Sequence, residues 1–520
     1  MVAVCVNCQR AGVDTPNVHQ NILKGCFGNG QGACVACRKL SALERKIEGA
    51  RRTLNQLLAE RDDLSFTLNQ QHDPFATRLP VEIASRIFTH CRPIPRARID
   101  LSDDDRYDYR GLIDAVFHLS QVCANWRRVA QSTPELWDVF CARFTSEDNV
   151  QEVAIASQWL KRSGELPLFI QIRVESTTPS YFRKLFPLII SHSLRWEFFD
   201  LMAPLPFMKW FATMVSSVSL YPLKHLKLQT LDEPAWPSNI KLLNASPTTF
   251  TQRGCSSHHF TISWERLTHF YATAFPFWEA VHLFQSAHLL LHCEISAIVE
   301  VLSAPAPSSP TLVTSASLNT FVVSDIPSYM WDCLAFPSLQ TLHVTQTHNA
   351  NRWIHLRDFV YRSGCRIQDL RLYARTDDFS ENLVEVLASS PSLVKLALIG
   401  RVIEQDFFAV LAKIVLSETP HAASPFLGKL TSLICKVDGV RFQWSPLASF
   451  LHAMTSRQSE SLQSLEIQLL GWYDDEFYLW KFDKDTSELI MNSVRSLENC
   501  KLVDYKGRDL VPILSRHGSV

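Results

Sequence analysis

Short segments of the form Leu-x-x-Leu-x-Leu recur from residue 223 almost to the C-terminus, and they limit the fold more than any other feature of this chain. The clearest run Leu223 to Leu228, Leu339 to Val344, Ile367 to Leu372, Leu393 to Leu398, Leu430 to Cys435 and Leu462 to Ile467; looser copies begin at Leu267, Leu290, Leu318 and Leu497. Alternating apolar positions inside each segment predict a strand with one buried face. Successive starts lie 21 to 44 residues apart. Helical or irregular stretches fill the intervals, as in residues 380–388, where Ser390-Pro391-Ser392-Leu393 then leads into the next core. The same cadence starts earlier, with a helical pattern over 157–163 and a strand-like one over 166–172. One strand and its return segment cannot bury a core alone, whereas a stack of such units can. An ordinary α/β domain is the alternative, but it would need crossovers and phosphate or nucleophile turns that the sequence lacks.

The cadence resembles leucine-rich repeats. The resemblance implies an irregular α/β solenoid over residues 150–520, with uneven spacing and mostly without the Asn or Cys expected after each core, Cys500 excepted.

Residues 74–140 follow a different pattern. In Leu79-Pro80-Val81-Glu82-Ile83-Ala84-Ser85-Arg86-Ile87-Phe88 the proline stands at a helix start, where its missing N–H costs nothing and its fixed φ suits the first turn. Counting from Pro80, the residues Ile83, Ala84, Ile87, Phe88 and Cys91 share one helical face, with Glu82, Ser85 and Arg86 opposite. Residues 119–130 repeat the device, with Leu119, Val122, Cys123, Trp126 and Ala130 on one stripe. Thr133-Pro134-Glu135-Leu136-Trp137 then reads as an N-cap, a first-turn proline and a third short helix.

This compact trio, with Leu-Pro-x-Glu-Ile, Val-Cys-x-x-Trp-Arg-x-x-Ala and Thr-Pro-x-Leu-Trp in order, resembles the F-box-like module of large families of fungal proteins. The module spans 73–141, and residues 94–116, with Asp103, Asp104, Asp105 and Asp108, form an insertion expected to be a solvated loop. An F-box-like module followed by leucine-rich repeats resembles the substrate receptors of SCF-type cullin ubiquitin ligases. In that family the F-box helices dock on a Skp adaptor, the repeats hold a target protein and a separate enzyme transfers ubiquitin. Carried onto this sequence, the resemblance implies adaptor contacts from Leu79, Pro80, Ile83, Ile87, Val122, Cys123, Trp126 and Trp137 through burial of apolar anchors. Packing inside the trio is the competing role for each of them.

Ahead of the trio, Cys5-x-x-Cys8 and Cys34-x-x-Cys37 bracket Cys26, His19 and several glycines within residues 1–38. Cys5, Cys8, Cys34 and Cys37 are candidate ligands of a structural zinc, which would order a segment with little else to fold around. A thiol-bearing tail is the alternative, because the two pairs stand farther apart than usual zinc pairs. Across residues 39–72, Leu40, Leu43, Ile47, Ala50, Leu54, Leu57, Arg61, Leu64 and Leu68 alternate spacings of 3 and 4. That seam predicts a long helix, either coiled with a second copy through 40–68 or docked on the body of the protein.

Composition narrows the function classes. A net charge of −1 over 520 residues gives no global attraction to nucleic acid or an anionic membrane. The most apolar stretch, 198–223, is interrupted by Pro204, Pro206 and Lys209 and makes a poor membrane span. Nine of the fourteen cysteines lie singly from Cys91 onward, as expected of reduced core residues in a cytoplasmic or nuclear protein. No Gly-x-Ser-x-Gly, His-Glu-x-x-His or P-loop is present. The acidic runs at 103–108 and 474–476 lack nearby ligand partners, and His258 and His259 sit in a polar loop, so no catalytic centre is expected. Two other readings stay open: an interaction scaffold unconnected with ubiquitin, and a zinc-dependent nucleic-acid regulator.

Overall fold

A computed structural model describes residues 35–72, 78–91, 110–144, 150–175, 182–218, 220, 223–230, 240–242, 245–256, 260–299, 312–346, 352–374, 381–400, 407–417, 426–438, 444–456, 462–470, 484–495, 497–503 and 509–511. The chain divides into two compact units, residues 1–136 and 137–520.

The first unit is helical. Helix α1 (Val35–His72) carries the heptad seam, followed by α2 (Val81–His90), α3 (Arg110–Val122), α4 (Ala124–Gln131) and a 3₁₀ turn (Pro134–Leu136). Pro80 is the N-cap of α2, and its carbonyl accepts from the N–H groups of Ile83 and Ala84 at 3.0 and 3.1 Å. The stripe expected over 119–130 is not one helix. It breaks at Cys123, which is fully extended (φ −155°, ψ 176°) and caps α4 by accepting from the Trp126 N–H at 3.4 Å. Of the insertion at 94–116, residues 110–116 are not loop but the start of α3, and residues 94–109 lie outside the described residues.

The second unit is built on one sheet whose main path takes fourteen parallel strands in chain order. These are β1 (Val139–Phe144), β2 (Leu168–Val174), β3 (Trp196–Ala203), β4 (His225–Thr230), β5 (Thr249–Ser256), β6 (His269–Pro276), β7 (His292–Ile295), β8 (Thr320–Ser324), β9 (Thr341–Gln346), β10 (Asp369–Ala374), β11 (Lys395–Gly400), β12 (Ser432–Asp438), β13 (Ser464–Leu470) and β14 (Asn499–Val503). Every strand joins the same advancing edge, which is the order of a solenoid and not of a doubly wound sheet. All ten repeated cores and the segment at 166–172 become strands, each starting two residues after the first apolar position. That position closes a tight turn: the N–H groups of Leu223, Leu267, Leu290, Leu339, Leu393, Leu430 and Leu497 donate to the carbonyl three residues back at 2.9 to 3.2 Å. The next two N–H groups then share one carbonyl of the preceding unit, as Gln368 and Asp369 share Gln340 O at 2.7 and 3.0 Å. The spacing of the leucines therefore sets both the turn and the register between neighbours.

Register makes the core a pair of continuous rows. One runs through Ile170, Phe199, Leu226, Phe250, Phe270, Cys293, Phe321, Leu342, Leu370, Leu396, Leu433 and Leu465, all of them buried. Cysteines act here as small apolar side chains: Cys293 and Cys435 fill slots used elsewhere by Phe and Leu, and burial pushes the Cys435 thiol up to about 12. Return helices cover this side, among them α5 (Val150–Arg162), α6 (Leu185–Ile190), α7 (Leu205–Val215), α8 (Phe277–Ser286), α9 (Ser328–Cys333), α10 (Arg352–Ser363), α11 (Glu381–Ala388), α12 (Phe407–Ser417), α13 (Trp444–Ser456) and α14 (Lys484–Arg495). Consecutive helices from α9 to α14 pack on one another as their strands do. Gly364 ends α10 in the left-handed region (φ 58°), with its N–H on the Val360 carbonyl at 3.1 Å, the usual cap where a helix must turn back into a strand.

Candidate functional site

Two surfaces, one in each unit, present side chains that the fold itself does not bury. On α2 the inward positions are Ala84 and Phe88, with Phe88 against Trp126 at 5.0 Å between ring centroids. Thr133 ties the end of α4 back to α2, its Oγ1 lying 2.7 Å from Val129 O and 2.8 Å from Ser85 Oγ. With the core contacts made by Ala84 and Phe88, the neighbouring row of α2 faces out: Pro80 is exposed, and Ile83 and Ile87 are 44 and 37% exposed. Leu79 is half-buried beside them.

The residues singled out in the sequence thus separate. Leu79, Pro80, Ile83 and Ile87 come together on one edge of α2. Val122 is 55% exposed at the end of α3. Cys123 spends its sulfur on the α4 cap, and Trp126 is half-buried on Phe88. Trp137 does not join them. It belongs to the second unit, is 2% exposed, meets Trp159 edge-on at 4.7 Å and lies under the Arg162 guanidinium at 4.6 Å, so it is a core residue of the first repeats. Cys5, Cys8 and Cys34 lie outside the described residues, and Cys37 falls in α1 with its side chain outside them. Among the described residues no group of three or more His, Cys, Asp or Glu is placed to hold a metal ion, and no helix is long and apolar enough to cross a membrane.

The second surface is the face of the sheet opposite the core rows. Register aligns its side chains across the strands. The first outward row contains His225, His269, His292, Thr320, Thr341, Asp369 and Lys395; the next contains Lys227, Tyr271, Glu294, His343, Arg371, Glu466 and Lys501, and begins at Asp200, which is itself buried. Ion pairs cross from strand to strand, Lys227 to Asp200 at 3.6 Å and Lys436 and Lys501 to Glu466 at 3.8 and 3.5 Å, and His343 Nε2 lies 3.6 Å from Asp369 Oδ1. In the middle the face is histidine-rich and aromatic, with His292 stacked on His269 at 5.8 Å and tilted against Tyr271 at 5.1 Å between ring centroids. Burial lowers the pKa of His225, with Glu197 pulling it back and Lys224 and His269 adding to the fall. His269 is lowered by burial and then by His292. Burial pushes the Asp369 carboxyl up, but His343 and the Arg371 guanidinium at 3.2 Å outweigh it and hold the carboxyl at about 2. These residues occupy the variable positions of Leu-x-x-Leu-x-Leu, so the signal for them in the sequence is the polar letter between two leucines.

No protein-family model matches the chain, and no curated protein matches it. Among solved structures it is similar to the leucine-rich repeat-containing protein LegL7 from Legionella pneumophila, at 12% identity and a TM-score of 0.24, over 48% of this chain and 90% of that one. The solenoid order rests on the strand pairings themselves.

Proposed function

We propose that this chain is the non-catalytic substrate receptor of an SCF-type cullin ubiquitin ligase, working in the cytoplasm or nucleus. The exposed edge of α2 docks on a Skp-type adaptor, and the polar face of the sheet holds the target protein. The observation that carries the adaptor half is the division of labour on α2. Ala84 and Phe88 satisfy the module's own core, while Pro80, Ile83 and Ile87 leave a contiguous apolar row for a partner. The target half rests on the aligned outward rows, where neighbouring strands present ionic, histidine and aromatic groups in fixed register. No catalytic step is assigned to the chain, because ubiquitin transfer belongs to a separate enzyme of the complex.

The test is co-purification of adaptor and cullin with the full-length chain. The wild type should capture both, and Ile83→Asp with Ile87→Asp should lose both while near-ultraviolet circular dichroism stays unchanged. A Tyr271→Ala, Arg371→Glu variant should retain the adaptor. A wild-type chain that brings down neither protein would reject the receptor reading and leave an interaction scaffold outside ubiquitination.

A further inference from the structure

Helix α1 carries a second binding surface that the receptor reading neither uses nor requires. Of its seam residues, Leu43, Leu54, Leu57, Leu64 and Leu68 are all more than half exposed, and Ile47 is 46% exposed. The helix meets the rest of its unit elsewhere: Asp62 and Phe66, on the opposite side from the seam, with Ser65 beside them, line a cleft of about 320 Å³ against residues 121–125 and Arg127. Among the described residues the apolar stripe is therefore left over after the unit's own packing. It runs about 40 Å at 1.5 Å per residue, enough for four heptads.

We infer that the partner of this stripe is α1 of a second copy of the chain, lying antiparallel. The two irregular seam residues choose the occupant and its direction. Ala50 is the one small residue of the seam and Arg61 the one long polar residue, and they stand at equal distances from the midpoint between Leu54 and Leu57. In an antiparallel pair about that midpoint, Leu43 meets Leu68, Ile47 meets Leu64, Leu54 meets Leu57, and each Arg61 lies over an Ala50. The short side chain gives the arginine stem room to pass along the seam and carry its head to water. Flanking positions then pair Glu44 with Ser65, Arg51 with Leu58, Lys46 with Thr67 and Thr53 with Glu60, with no like charges opposed. A parallel pair in register sets Arg61 against Arg61, Ala50 against Ala50 and Lys46 against Arg51 on both flanks, with only Lys39 and Glu44 attracting in return. Each adaptor-docking edge would thereby be present twice in the particle.

Light scattering of the full-length chain at micromolar concentration should report twice the 59.2 kDa chain mass. Leu54→Asp with Leu57→Asp should return the mass to one chain. The tryptophan near-ultraviolet signal should persist in that variant, since α1 contains no tryptophan. A benzophenone side chain placed at position 43 should cross-link to the segment around Leu68. The Leu68 of the same helix is about 37 Å away, out of reach, so that adduct reports the second copy. A wild-type chain of single mass, a dimer that survives the double substitution, or an adduct joining position 43 to position 43 would each overturn the assignment.

Discussion

Gln252 occupies a slot that its neighbours in register fill with Leu228 and Ala272. It is 1% exposed, and among the described residues neither atom of its amide has a hydrogen-bond partner. A buried amide left without partners costs about 1 to 3 kcal/mol. Gln252→Leu should therefore raise the unfolding free energy by about that amount, read from the urea midpoint; a lower midpoint would mean that the amide is bonded, as through a trapped water. Other single residues show why parts of the site could not be read in advance. Cys123 lies on the apolar stripe of 119–130, yet a periodic pattern carries no mark of one extended residue, and a thiol is a weak helix-start signal. Trp137 follows a Thr-Pro signature in the usual way, but its ring is claimed by Trp159 and Arg162, which lie more than twenty positions downstream and leave no local trace. Ile83 and Ile87 were legible as a helical row; which of the two adjacent rows faced inward depended on Phe88 meeting Trp126.

At the level of the strands, legibility followed the leucines. Wherever Leu-x-x-Leu-x-Leu was present, a strand formed, because that spacing fixes the turn and the buried face together. Strands β1, β3 and β5 escaped, since β3 builds its rows from Trp196, Phe199 and Leu201, β1 from Phe140, Ala142 and Phe144, and β5 places Gln252 where a leucine would have marked it. The outward rows give the strands a response to acid in two windows. His225 and His269 have pKa values lowered from 6.5, so the unfolded chain takes up protons first as pH falls below 6.5; their neutral forms stabilise the fold above that value, and the contribution is lost below it. Asp369, held at about 2 against an ordinary 3.8, contributes stability above 3.8 that disappears as pH falls toward 2. The urea midpoint should drop between about pH 7 and about pH 5, less so in His225→Gln with His269→Gln. It should drop again between about pH 4 and about pH 2, less so in Asp369→Asn. A double-histidine variant with the wild-type slope in the upper window would remove the histidines from the account.

Over the second unit as a whole, the order of the sheet decides how damage travels. Along the path each strand bonds to the strands before and after it, with one side branch where Ile298 and Val299 pair with β6, and the helices from α9 to α14 pack each on its successor, so stability is largely a chain of nearest-neighbour terms. Leu370 is fully buried near the middle of this chain, flanked in register by Leu342 and Leu396. Leu370→Ala should cost about 2 to 5 kcal/mol. That loss should fall first on β10 and its two neighbours, leaving β2 and β3 with their protection, because seven strands lie between β2 and the lesion. Amide hydrogen exchange followed peptide by peptide reads this directly. Faster exchange in Thr341–Gln346, Asp369–Ala374 and Lys395–Gly400, with Leu168–Val174 unchanged, marks a stack of semi-independent units. Equal acceleration across all fourteen strands would mean that the rows of the core melt as one body, with the continuous apolar rows outweighing the one-dimensional connectivity of the backbone.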